Sequence, residues 1–141
     1  CSTTDLPDSA FIADNEITGY EISKDTSQQH NQWQFYYLHL SKSGEDKLSK
    51  LKDIPLCCGK RFVIAVNRQP IYGGYFWNYF SSFGCVWLTI PAFASNRLPI
   101  ERGLPYDYFT DKHTDPRGDK NLIEALKKTG RLIENWKRVY R

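Results

Sequence analysis

The chain has no apolar run approaching the roughly 20 residues that a membrane-spanning helix needs, so any contact with a bilayer has to come through a terminus or a surface patch. It has no spaced Cys-x-x-Cys pair, and its histidines, His30, His39 and His113, are scattered, which argues against zinc. It has no Gly-x-Ser-x-Gly elbow around Ser81-Ser82, and no local signature joins Cys57 or Cys58 to a histidine, so nucleophilic catalysis has no motif to stand on. Gly73-Gly74 lacks the glycine spacing and the lysine of a phosphate loop and reads as a backbone bend. Neither a metal nor a cofactor is expected. The net charge is only +3, with cations and acids interspersed over most of the length, so nucleic acid is not an expected partner.

What is present suits one compact domain. The chain has 141 residues, of which 40% are hydrophobic and 15% aromatic, enough to bury a core. Residues 1–12 are polar, broken by Pro7 and without helical or strand period, and read as a flexible tether to a single domain over 13–141. Alternation over Ile17–Ile22 predicts a half-buried strand. Trp33–Leu40 is bulky on both faces and predicts a central strand covered on each side. Ser43, followed by Glu45 and Asp46, predicts the cap of a short helix with Leu48 and Leu51 on its apolar edge, ending before Pro55. Phe62–Val66, the turn Asn67-Arg68 and Gln69–Tyr72 predict a hairpin, and Val86–Ile90 a strand stopped by Pro91. Recurrent proline and glycine from Ala92 to Arg117 predict loop. A helix starts near Asp119, with Leu122, Ile123 and Leu126 as its stripe and Gly130 as its stop. Leu132 to Val139 fits either a second helix or an edge strand. The expected fold is α+β, a small, mostly antiparallel sheet with helices packed on one side.

The start of the chain, Cys1-Ser2-Thr3-Thr4-Asp5-Leu6-Pro7, resembles a mature bacterial lipoprotein. The resemblance implies a diacylated, N-acylated Cys1, which carries enough acyl chain for stable anchoring. Ser2 beside it implies an outer-membrane lipoprotein facing the periplasm. Lipid on Cys1 leaves Cys57, Cys58 and Cys85, hence at most one ordinary disulfide. In an oxidising periplasm that would be Cys85 with Cys57 or Cys58; a strained vicinal bridge and three reduced thiols are the alternatives. A second resemblance covers residues 35–90. The stretch Phe35-Tyr-Tyr-Leu-His-Leu, the helix-like Ser-Lys-Ser-Gly-Glu-Asp-Lys-Leu and the entry Gly59-Lys60-Arg61 into a hairpin ending at Tyr72 resemble the head subdomain of the periplasmic part of SecDF, the protein-export accessory factor. The chain departs from that family in lacking spanning helices, in its aromatic segment and in its C-terminal third, so proton-driven export is not implied; protein binding is.

Two constellations carry chemistry. From Tyr72 to Gly84, seven aromatics fall within thirteen residues, too many to point into one small core. Tyrosine and tryptophan there offer large contact areas with polar tips, so Tyr75, Trp77 and Tyr79 are the candidate partner-binding residues. The structural alternative places Phe76, Phe80 and Phe83 in the core at helical spacing. Asp107, Asp111, His113, Asp115 and Asp119 form an acidic region. Its spacing faintly resembles a calcium loop, but histidine is a poor ligand and the closing glutamate is missing. Its carboxylates could serve hydrolysis if they converge in space, or simply sit in a solvated loop with Asp119 or Asp115 capping the last helix; Arg117-Gly118-Asp119 reads as a turn. The expectation is a lipid-anchored envelope protein that binds another envelope protein, with a small periplasmic hydrolase using Asp107–Asp119 and an immunity or inhibitor lipoprotein as the alternatives. Mass spectrometry of the protein taken from its native membrane is expected to find acylated Cys1; an unmodified Cys1, or a longer N-terminus, would remove the anchor.

Overall fold

The computed structural model describes residues 11–25, 33–51, 54–78, 80–92, 95–104 and 115–137. In chain order these form β1 (Ile17–Asp25), β2 (Trp33–Leu40), α1 (Lys42–Ser49), β3 (Lys60–Val66), β4 (Gln69–Trp77), β5 (Cys85–Pro91), β6 (Arg97–Leu104), α2 (Lys120–Lys128) and β7 (Leu132–Lys137). Two 3-10 turns, Asp14–Glu16 and Pro116–Gly118, precede β1 and α2. Among the described residues the strands make one sheet in the order β3-β4-β5-β6-β2-β1-β7. Four neighbouring pairs are antiparallel, while β4–β5 and β1–β7 are parallel.

The expected α+β arrangement, helices packed over a small antiparallel sheet, is therefore corrected. The molecule is mostly sheet, a mixed seven-stranded half-barrel with two helices of eight and nine residues. Two segments account for the difference. Arg97–Leu104 lies in the stretch expected to be loop, yet Leu98 and Ile100 alternate into the core on either side of Pro99. Proline is tolerated because residues 97–100 pair with β2, whereas the pairing with β5 involves residues further on, Glu101, Arg102 and Leu104. The second is Leu132–Lys137, which is a strand parallel to β1.

Two short helices cannot cover seven strands, so the sheet covers itself by curling. In a flat sheet β1 and β4 would stand about 19 Å apart, four strand spacings. Instead the hydroxyls of Tyr20 on β1 and Tyr72 on β4 meet at 2.8 Å. Within the curl, Tyr20, Tyr36, Leu38, Leu40, Tyr72, Phe76, Leu88, Ile90, Leu98 and Ile100 form the buried cluster, closed by Leu48 of α1 and by Leu122 and Leu126 of α2. Of the expected tether, Ile12 packs against this cluster and Phe11 is exposed, while residues 1–10 lie outside the described residues. On β2 only one face is covered: Tyr36, Leu38 and Leu40 are buried, while Phe35 on the other face is 45% exposed.

Local chemistry sets the ends of the elements. The cap of α1 is Ser41, whose Oγ accepts from the Gly44 N–H, and not the expected Ser43. Asp119 caps α2 by accepting from Asn121 N and Leu122 N. Gly130, at φ +69°, ends α2 in a Schellman motif, with Gly130 N–H bonded to Lys127 O and Arg131 N–H to Leu126 O. Arg131 O then accepts from Tyr20 N–H, which sets β7 beside β1. The β3–β4 turn has positive φ at both Asn67 and Arg68, as a type I′ turn requires.

One buried charge ties the curl together. Arg117, in the Pro116–Gly118 turn, donates from Nε and Nη2 to the Asp115 carboxylate and from Nη1 to Ile100 O on β6. Its guanidinium lies 4.4 Å from the Tyr36 ring centre, and its carbonyl accepts from Tyr20 OH. Arg117→Ala would leave Asp115 and Ile100 O buried without that partner, at a cost of about 3–5 kcal/mol. Urea unfolding is expected to show it; a loss no larger than that of an exposed Lys120→Ala control would mean the pair does not hold the curl.

Candidate functional site

The connection from β4 to β5 is unusually short. Parallel neighbours ordinarily need a crossover of a dozen or more residues, and here Asn78–Gly84 supplies seven. With Tyr75 beside Thr89, the chain leaving Trp77 must travel back about 20 Å to begin β5, on no more than about 27 Å of backbone. It therefore lies flat against β4. Trp77 is trapped beneath it, 6% exposed, with its indole N–H donating to Phe83 O at 3.2 Å. Gly59, at φ +65°, closes over the same indole; a Cβ there would stand 2.8 Å from the ring and 2.6 Å from Phe76 O.

What the return loop cannot bury it pushes outward. Phe80 is 87% exposed and Phe83 56%, and they stand beside Leu56 at 51% on the turn leading to β3. The two loops are laced together. Asn78 Nδ2 donates to Ile54 O, Ser81 Oγ donates to Leu56 O, and Asn78 Oδ1 and Ser81 Oγ accept from the N–H groups of Phe80 and Phe83. The result is an apolar knob on two loops joined by hydrogen bonds. Trp87, 43% exposed on β5, donates its indole N–H to Gly73 O.

The sequence expectations are redistributed by this geometry. Trp77, expected to contact a partner, is interior, beneath the return loop. Tyr75 is half-buried on β4, and Tyr79 lies outside the described residues. The helical-core alternative fails as well, because the segment is strand and return loop, and only Phe76 of its three phenylalanines is in the core. Leu56 carried no local signal, being one apolar residue between Pro55 and Cys57.

Cys57 and Cys58 are exposed with their sulfurs 3.4 Å apart, and Cys85 Sγ contacts Trp87 O; the three are unbridged in this structure. The hydrogen bond with Cys57 raises the Cys58 pKa, the opposite of what an activated thiolate needs.

In the acidic region Asp107, Asp111 and His113 lie outside the described residues. Asp115 is held by Arg117 and faces Arg102 at 3.5 Å, and Asp119 caps α2. Burial alone would raise the Asp115 pKa; the hydrogen bonds and charge of Arg117 outweigh it and hold the carboxyl below its ordinary value. An open surface hollow is lined by Lys127, Gly130, Leu132 and Glu134, and neither Asp115 nor Asp119 reaches it. No group of three or more histidine, cysteine, aspartate or glutamate residues among the described residues is placed to hold a metal ion.

A charged cluster invisible to local spacing spans three strands on the other face of the sheet. Glu21 of β1 is buried, accepts from Arg97 Nε and Nη2 of β6, and shares Oε1 with His39 Nε2 of β2 at 2.8 Å. Arg97 also lies 3.6 Å over the Tyr37 ring. The Arg97 hydrogen bonds pull the Glu21 pKa from 4.5 to about 2, against the opposing effect of burial and with further help from His39. Because the folded value is depressed, this pairing stabilises the protein fully above pH 4.5, and the contribution is lost as pH falls toward 2. Urea midpoints of the wild type and Glu21→Gln are therefore expected to converge over that interval; a constant gap would place the acid sensitivity elsewhere.

No family model matches the chain, and neither the curated proteins nor the solved structures contain a match to it.

Proposed function

We propose that the chain acts by binding, docking a partner protein of the bacterial envelope through the knob of Leu56, Phe80 and Phe83, with a lipid on Cys1 as its hold on the membrane. The observation that supports this best is the exposure of Phe80 on a loop tied to its neighbour by the Asn78–Ile54 and Ser81–Leu56 hydrogen bonds. A large apolar ring in water is costly unless something covers it, at about 25 cal/mol for each Å². Its loop has little conformational freedom left to lose on docking, which is the condition under which a small contact area yields useful affinity. Aromatic residues presented in this way are the usual anchors of protein interfaces.

Hydrolysis has less in its favour, because Asp115 and Asp119, the two described members of the acidic region, are engaged with Arg117 and the α2 N-terminus. An inhibitor or immunity protein would be a special case of the same docking. A photoreactive phenylalanine analogue introduced at Phe80, in cells of the native host, is expected to yield a discrete adduct with one envelope protein, and the same analogue at Glu124 on exposed α2 is not. Adducts at both positions, or at neither, would overturn the docking role.

A further inference from the structure

The stretch from Ile54 to Ile100 contains no aspartate or glutamate; all 16 acidic residues of the chain lie on either side of it. That stretch supplies β3, β4, β5 and both loops of the knob. Its cations are Lys60, Arg61, Arg68 and Arg97. Arg97 is committed to Glu21, and Arg68 sits at the far end of the hairpin, about 23 Å along β3 from Arg61. Lys60 and Arg61 are different. Both are exposed, open β3 across from Phe76 and Tyr75 of β4, one on each face of the sheet, and follow Gly59, which packs on the Trp77 indole beneath the return loop. Among the described residues no carboxylate pairs with either.

From this placement we infer that the knob's partner is a protein surface whose apolar pocket is rimmed by carboxylates, with Lys60 and Arg61 as the residues that orient it. The inference rests on the knob being a docking surface. A bilayer rewards buried apolar area and is indifferent to shape, whereas the laced loops hold Phe80 and Phe83 in one arrangement, which favours a pocket of matching form. A second copy docking knob to knob would set Lys60 and Arg61 against themselves across a two-fold contact. An acidic rim is the complement that remains. Charges at the rim act chiefly on the rate of encounter and on the choice of partner, and they do so over about 8 Å at physiological salt.

The test is selection of a random peptide library displayed on phage against the full chain, with binding remeasured on F80A, K60E/R61E and K60Q/R61Q. Recovered peptides are expected to carry an aromatic or aliphatic residue flanked by aspartate or glutamate. They should lose binding to F80A, bind K60E/R61E roughly tenfold more weakly, fall between for K60Q/R61Q, and weaken as salt rises. Peptides that need Phe80 but show no acidic enrichment, or no response to either double substitution, would overturn the acidic rim and leave the docking role standing. A selection in which no binder depends on Phe80 would remove the docking role itself. Binding to phosphatidylglycerol–phosphatidylethanolamine vesicles that is abolished by both F80A and K60E/R61E would reassign the surface to lipid. A concentration-dependent dimer abolished by F80A in analytical ultracentrifugation would reassign it to a second copy.

Discussion

The buried guanidinium of Arg117 is the interaction on which the rest of the molecule depends. An arginine taken out of water is tolerated only if its donors are met by a carboxylate and by backbone oxygens, and Asp115 and Ile100 O supply them. The same residue's carbonyl receives Tyr20 OH, which in turn meets Tyr72 OH. One turn of chain thus contacts β6, β2 and β1, and lies beside β4 as well. Burial keeps both phenols protonated far above any ordinary pH, so the chain of hydrogen bonds stays intact across that range. A network of this kind is worth its cost only when every member is satisfied. What it obtains here is geometry, because it fixes how far a seven-stranded sheet bends.

The bend divides the molecule into two chemistries. The concave side is filled by aliphatic and aromatic side chains and sealed by two short helices. On the other side β1, β2 and β6 present the Glu21, His39 and Arg97 cluster, while the end of the sheet built from β3, β4 and β5 carries the return loop, the knob and cations without acids. Phe35 on β2 and Ile133 on β7 are exposed too, so what sets the β3–β5 end apart is its lack of acids. The parallel β4–β5 pair adds Phe80 and Phe83 to that end, because a connection too short to hold a helix has to stay close to the strand it leaves.

Much of this was legible in the sequence where the signal is local. Alternation marked β1, a run of bulky residues marked β2, Asn67-Arg68 marked the hairpin, Pro91 marked the end of β5, and Asp119 and Gly130 bracketed α2. What escaped depends on pairing between distant residues. Pro99 and Gly103 disguise β6 as loop, and its strand character comes from β2 and β5 on either side. Leu132–Lys137 is a strand because β1, near the other end of the chain, lies next to it. The aromatic density of the 72–84 segment was plain, but which rings face water was decided by the path of the return loop and by Gly59, so Trp77 went inside and Phe80 outside. The Glu21 cluster draws one residue from each of three strands, and no spacing along the chain announces that.

The slack in the return loop, about 7 Å of chain beyond the distance it must cover, bears on how such a surface can diverge. A loop with that little spare length cannot lose more than about two residues without moving β5, whose Leu88 and Ile90 lie in the core. Phe80 and Phe83, by contrast, are exposed, while Asn78 and Ser81 do the holding. Recognition at this end of the molecule is therefore free to change one residue at a time, on a backbone whose course is set by covalent length.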